Sequence, residues 1–347
     1  MRQAGRYMPE YQATRARAGD FLTLCRTPDL ACEVTLQPIE RLGVDAAILF
    51  SDILVPLPAM GIPLAFTDEG PRLEPVRSAE DIGRLVVPEA DACRFVYDAV
   101  RLCRRALEAL GDKRVPLIGF AGAPFTLMTY AVEGHTSKQF TQTKKLLYAA
   151  PEAAHQLLDK LTETVIVYLK AQVEAGAEVI QLFDSWVGIL SGDDFATYAA
   201  PYVERVLTAL RPLGVPLIYF AHGGSALYEQ VGKLPADVFA VDWRLPIDVA
   251  GKRLGLGLNS NAAGRSTGTA IQGNLDPGIL LGPISEIERR AGEILRRAAT
   301  LGCGHIFNLG HGVVPETPVE HAQALVEAVH RLGRRDSSGA AQGSTAA

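Results

Sequence analysis

The feature that most narrows what this chain can fold into is an alternation that begins near residue 29 and persists almost to the end. Seven short runs, Val44–Phe50, Val115–Ala121, Glu178–Phe183, Val215–Ala221, Asp237–Val241, Ala270–Gly273 and His305–Leu309, are nearly free of polar residues. Between them lie longer stretches with apolar residues at three- and four-residue spacing, including Pro28–Leu42, Asp91–Leu110, Pro151–Ala175, Asp193–Leu213, Ile284–Thr300 and Pro318–Leu332. Several of these open on Pro or Asp, as helix starts do. A strand with no polar side is buried on both faces, which happens in a parallel sheet covered by helices. The class is therefore α/β.

Seven strands leave two architectures open, a doubly wound sheet or a (β/α)8 TIM-type barrel whose first strand is missing from the N-terminus. No GxGxxG follows the first run and no GxxxxGK[ST] occurs anywhere, which removes the usual reason for a doubly wound nucleotide fold and favours the barrel. A single barrel can hold a chain of this length in one core. The expected organisation is one domain over residues 1–333 and a flexible Ser/Gly/Ala tail over 334–347. Pro56–Pro71 is too irregular for a helix and too apolar for a disordered linker, so it is expected to cover the rim of a site. Asn259–Gly268 reads as a surface loop without chemistry.

The charge sum, 34 basic against 39 acidic residues, is −5, so no global positive field draws in nucleic acid or anionic lipid. The most apolar stretch, residues 44–66, contains Asp45, Asp52 and three prolines and is not a membrane span. The opening MRQAGRYMPEYQ lacks the apolar centre of a secretory signal, and the five cysteines form no CxxC pair, so a cytoplasmic protein with reduced thiols is expected. No lysine lies within or just after an apolar run, which removes the usual Schiff-base nucleophile. His222 is followed by two glycines instead of a second soft ligand, and no metal is expected.

Ligands of parallel α/β folds bind at the carboxyl ends of the strands. The polar residues there are Ser51 and Asp52, then Gly122 with Tyr130 soon after, Asp184 and Ser185, His222, Asp242 and Trp243, Asn274 and Asp276, and Asn308 and His311. Arg2 and Arg6 add two cations near the start. An aspartate directly after an apolar run, as Asp52 is, sits in a partly desolvated mouth and needs a cation or N–H donors. The plainer reading is that it caps a turn. Tyr130 and Ser185 could likewise bond only to backbone, His311 could be a satisfied core histidine, and the arginines could be surface charges.

Seven blocks in this order resemble the uroporphyrinogen decarboxylase family: RQAGRYMPEY (Arg2–Tyr11), FSDIL (Phe50–Leu54), GFAGAPFTLMTYAVEG (Gly119–Gly134), QLFDSW (Gln181–Trp186), VDW (Val241–Trp243), QGNLDP (Gln272–Pro277) and FNLGHGVVPETP (Phe307–Pro318). The resemblance implies a (β/α)8 barrel, usually a homodimer, that decarboxylates the four acetate side chains of uroporphyrinogen III to give coproporphyrinogen III without a metal or organic cofactor. It implies Asp52 as the central carboxylate and Arg2 and Arg6 as contacts to substrate carboxylates. Gln3, Ala4 and Gly5 would line the site through their backbone, and Tyr130, Ser185 and His311 would be further substrate contacts. Arg2 is the family-like proton donor, with a water relayed through Tyr130 or His311 as the alternative.

Two departures go with it. Family members carry an apolar strand before RQAGR, whereas this sequence starts at the preceding Met, and Leu254–Gly268 differs from the family's usual run into QGNLDP. Two competing readings are a zinc-dependent methyltransferase on the same barrel and a tetrapyrrole binder without chemistry. The first needs a His-x-Cys pair, and position 224 is Gly.

Overall fold

The computed structural model of the chain describes residues 3–257 and 269–333. Arg2, the Asn259–Gly268 loop and the 334–347 tail lie outside the described residues.

The strands are β1 (Ala47–Ile48), β2 (Leu64–Thr67), β3 (Gly70–Leu73), β4 (Leu117–Gly122), β5 (Val179–Asp184), β6 (Leu217–Ala221), β7 (Val238–Ala240), β8 (Ala270–Leu275) and β9 (Gly304–Leu309). Each of the seven apolar runs overlaps one strand of a single sheet ordered β1-β4-β5-β6-β7-β8-β9. Every pairing in it is parallel. The order never reverses, so the sheet has no switch point and is not doubly wound.

Long helices return the chain between strands, and local chemistry sets their limits. Pro151–Ala175 starts on its proline and stops at Gly176, which takes the left-handed conformation (φ 119°) that ends helices. Its Leu157, Leu158, Leu161, Val165 and Leu169 are buried at helical spacing against the sheet. Strand side chains alternate between two apolar layers. Leu217, Tyr219 and Ala221 of β6 face the helices, whereas Ile218 and Phe220 pack with Val238 and Ala240 of β7 on the other face. That second face is concave, because rings that follow β6 and β9 meet across it, as described below.

The Pro56–Pro71 segment was not legible as strand or helix. Pro56–Pro71 is not irregular throughout: it holds a 3-10 turn, Leu57–Met60, and enters an antiparallel hairpin in which β2 pairs with β3 from Leu64↔Leu73 to Thr67↔Gly70. Both strands are short and half exposed, so they lack an uninterrupted apolar run. Gly70 (φ 111°) lets the chain enter β3 directly after the turn. The hairpin is tied to the Pro124–Glu133 helix by Leu73 N–H to Gly134 O, 2.8 Å.

β9 departs from burial on both faces, with Ile306 42% exposed. At the opposite edge of the sheet, the side-chain amide of Gln3 acts as a substitute strand residue. Its Nε2 donates to Ala46 O (2.7 Å) and its Oε1 accepts from Ile48 N (3.1 Å). Tyr7 Oη donates to Gln3 O (2.6 Å), while Ala4, Tyr7 and Met8 pack with Leu275 and Val313. The segment from Gln3 to Met8 is therefore fastened both to β1 and to the elements around β8 and β9.

Candidate active site

Because all seven strands run parallel, the residues that follow them gather at one end of the sheet. Asp52, after β1, is half-buried. One oxygen, Oδ1, accepts from Leu54 N (2.9 Å), and its carbonyl accepts from Val55 N (3.2 Å). The turn-capping role weighed above is thus present, and it uses one of the two carboxylate oxygens. Ala4 is buried, Gln3 and Gly5 are half-buried, and Arg6 is exposed, all in the fastened N-terminal segment beside β1. Arg2, assigned to the same segment, lies outside the described residues.

Tyr130, Ser185 and His311 belong to a continuous set of groups. The Tyr130 ring stands edge-on to Trp186, 5.8 Å between centroids, and Phe140 closes on the same indole at 5.2 Å. The Ser185 carbonyl accepts from His222 Nδ1 (3.1 Å), and the His222 ring lies 4.8 Å from that of His311. His222 follows β6 and His311 follows β9, three strands away in the sheet. Their rings can touch only if the sheet curls and both point to its hollow side.

Asp242 anchors this set. It is fully buried and accepts from Gly223 N (Oδ2, 2.7 Å), Arg244 N (Oδ1, 3.0 Å) and Arg244 Nη1 (Oδ2, 2.6 Å). Asn274 pins the same loop by donating from Nδ2 to Asp242 O (2.8 Å) and Leu245 O (2.7 Å). Two of the polar strand-end residues are therefore scaffold to the mouth. Arg244 Nη1 also approaches His222 Nε2 at 3.3 Å. Since arginine only donates, Nε2 must carry the lone pair, and Nδ1 carries the proton given to Ser185 O. Burial, with the Arg244 charge adding to it, holds the His222 ring below the usual imidazole range, against the opposing pull of Ser185 O and Asp242.

Asp184 differs from its neighbours. It shares the parity of Ile180 and Leu182, so its carboxylate points behind the sheet, where it accepts from Thr126 Oγ1 (2.7 Å) and Tyr219 Oη (2.8 Å). Thr126 Oγ1 in turn accepts from Trp186 N (3.2 Å). The buried carboxyl therefore holds the Ser185–Trp186 turn from behind. Burial raises its pKa to about 6, although both hydroxyls pull the other way. The folded state then binds this proton more tightly than the unfolded chain. Its stabilising contribution is complete below the ordinary carboxylate range and is lost as pH rises through about 6, a difference of roughly 3 kcal/mol. Asp184→Asn, neutral throughout, should flatten the stability profile between about pH 4 and pH 7. Urea unfolding across that range checks this, and parallel profiles for the two proteins would count against a titrating Asp184.

Arg244 has no counterpart among the residues singled out above. The available signal was its place, as the first cation after the polar end of β7. A groove of about 590 Å³ on the outer helices is lined by Glu163, Lys170, Glu204 and Arg205, and Arg205 is already paired with Glu163 at 2.7 Å. Among the described residues, no three His, Cys, Asp or Glu side chains converge as metal ligands.

Residues 1–332 match the family model described as uroporphyrinogen decarboxylase (URO-D). A uroporphyrinogen decarboxylase of Myxococcus xanthus is 51% identical over 96% of this chain and 91% of its own length. One from Syntrophotalea carbinolica is also 51% identical, over 96% and 92%. Among solved structures, a methyltransferase from Methanosarcina mazei superposes with a TM-score of 0.75 at 21% identity, covering 93% of this chain and 91% of that one, a likeness of fold alone.

Proposed function

The chain belongs to the uroporphyrinogen decarboxylase family, and from that premise we propose that it is a carboxy-lyase of porphyrin biosynthesis, taking uroporphyrinogen III to coproporphyrinogen III and four CO₂ with Asp52 at the centre of its chemistry. The observation that supports the site assignment is the Gln3 amide bonded to Ala46 and Ile48, which keeps Gln3–Arg6 alongside β1, the strand that ends four residues before Asp52.

The substrate carries pyrrole N–H groups inside its macrocycle and carboxylates around its rim, so it calls for an acceptor at the middle and cations at the edge. Direct loss of CO₂ from a pyrrole acetate would leave a carbanion. If a pyrrole carbon is first protonated, the electrons of the breaking C–C bond flow into the resulting iminium-like ring and CO₂ departs. The exocyclic carbon then takes up a proton to become methyl, and the ring carbon gives its own back. The pyrrole thus supplies its own electron sink, the task a cofactor performs elsewhere. Asp52 stabilises the transient positive ring and orients the pyrrole nitrogens, and each 1.36 kcal/mol of such preference gives about tenfold in rate.

Arg2 is the proposed proton donor, and a water relayed through Tyr130 or His311 is the other route. Arginine is a weak acid in water, holding its proton well above the physiological range. Arg6 binds a rim carboxylate, with Gln3, Ala4 and Gly5 lining the site and Tyr130, Ser185 and His311 completing the contacts. Arg6→Ala is expected to raise the apparent KM with little change in kcat, and an unchanged KM would remove Arg6 from the contact set.

The seven curled parallel strands are read as staves of a (β/α)8 barrel within one domain, assembled as a homodimer in the cytoplasm. The unreversed strand order and the meeting of His222 with His311 support the barrel. Sedimentation gives the assembly directly. No helix of the described residues is long and apolar enough to cross a membrane. The decisive experiment is anaerobic incubation with uroporphyrinogen III followed by chromatography of the oxidised porphyrins. Appearance of the tetracarboxylate is expected, and binding without CO₂ release would leave only a tetrapyrrole binder.

A further inference from the structure

We propose that Arg244 is a carboxylate-gripping residue of the same mouth, holding a rim carboxylate of the substrate on the β7 side, four places along the sheet from Asp52; this rests on the reading that the substrate is a polycarboxylated tetrapyrrole. Three features of the residue carry the inference.

The first is its support. A fully buried aspartate, itself fastened by Gly223 N–H, holds Arg244 by both its backbone N–H and its Nη1. Holding a guanidinium by a buried partner removes much of the rotamer entropy that a free surface arginine loses on binding. The second is its direction. Nη1 lies 3.3 Å from His222 Nε2, and the His222 ring meets that of His311 on the hollow side of the sheet, so the guanidinium sits with the inward cluster. Its Cζ lies 4.8 Å over the Trp243 ring, which fixes its plane.

The third is what it has left to give. Asp242 and His222 both engage Nη1 alone, and among the described residues Nε and Nη2 make no hydrogen bond. Those two donors form one edge of the guanidinium fork, the edge that accepts a carboxylate bidentately. The side chain remains 45% exposed, so a ligand can reach it. A fully paired structural arginine would show neither the spare edge nor the exposure.

The test uses the full chain with uroporphyrinogen III under anaerobic conditions. Arg244→Gln keeps an amide donor but removes the charge and the fork. Its KM should rise about tenfold, with kcat within about threefold of wild type. Arg244→Lys keeps the charge without the bidentate edge and should recover part of the lost affinity. The rise in KM with added KCl should be shallower in Arg244→Gln than in wild type. If Arg244→Gln unfolds because Asp242 loses a partner, Arg244→Lys carries the test, with KM raised several-fold in a protein that melts like wild type. An unchanged KM in a folded Gln variant, or a loss confined to kcat, overturns the assignment. Wild-type protein that releases no CO₂ overturns the decarboxylase reading instead, whatever the variants do.

Discussion

Asp52→Ala should lower the turnover of uroporphyrinogen by about 10²–10³-fold, the scale seen when one preorganised electrostatic contact to a charged transition state is removed. The structural cost should be far smaller. The bond that Leu54 N donates to Oδ1 is lost, at about 0.5–1.5 kcal/mol. Two further substitutions separate the roles. Asp52→Asn still offers an oxygen to Leu54 N and so preserves the turn, but without the negative charge it should fall nearly as far as alanine. Asp52→Glu keeps the charge on a longer reach and should regain part of the activity. Coproporphyrinogen formation measured beside urea unfolding checks all three, and near-normal turnover in Asp52→Ala would defeat the mechanism.

Gly310→Ala should be almost as damaging, for a steric reason. A Cβ at residue 310 would lie 2.7 Å from Trp243 N, 3.0 Å from Trp243 Cε3 and 3.1 Å from Asp242 C. Most of these are atoms of a loop that Asp242 and Asn274 hold in place, so the strain falls on residues 310 and 311. Overpacking of this kind costs about 1–3 kcal/mol. The displacement carries His311 with it, and a shift of about 1 Å in a positioning group can cost about 10²-fold in rate. A thermal melt and kcat/KM measured together test this. A variant with wild-type values of both would mean that the β7 loop yields, contrary to its hydrogen bonding.

How much of this was legible in the sequence depends on burial. Parallel strands covered on both sides are apolar at nearly every position, so β4 and β6 stood out as unbroken runs such as Val215–Ala221. β2 and β3 are only four residues long, β2 exposed on alternate residues and β3 buried only at Leu73, and that leaves no run to notice. The same logic governs the site. Asp52, Ser185 and His311 came forward as candidates because strand ends are where polar residues first appear. Asp184 met that criterion as well, and only its parity with Ile180 and Leu182 tells that it faces the helices. Arg244 reads as an ordinary surface cation until Asp242 is seen to hold it. The Gln3 bonds join a side chain to backbone more than forty residues away, a kind of contact that neither periodicity nor spacing encodes.

Trp186 and Trp243 are the chain's only two indoles, and they follow β5 and β7 at the same opening, one beside Tyr130 and the other beneath Arg244. The molecule therefore carries a built-in optical gauge. A ligand settling between these rings must change ultraviolet emission, and an oxidised porphyrin, whose absorption overlaps that emission, would quench both by energy transfer, so occupancy can be followed without any attached dye.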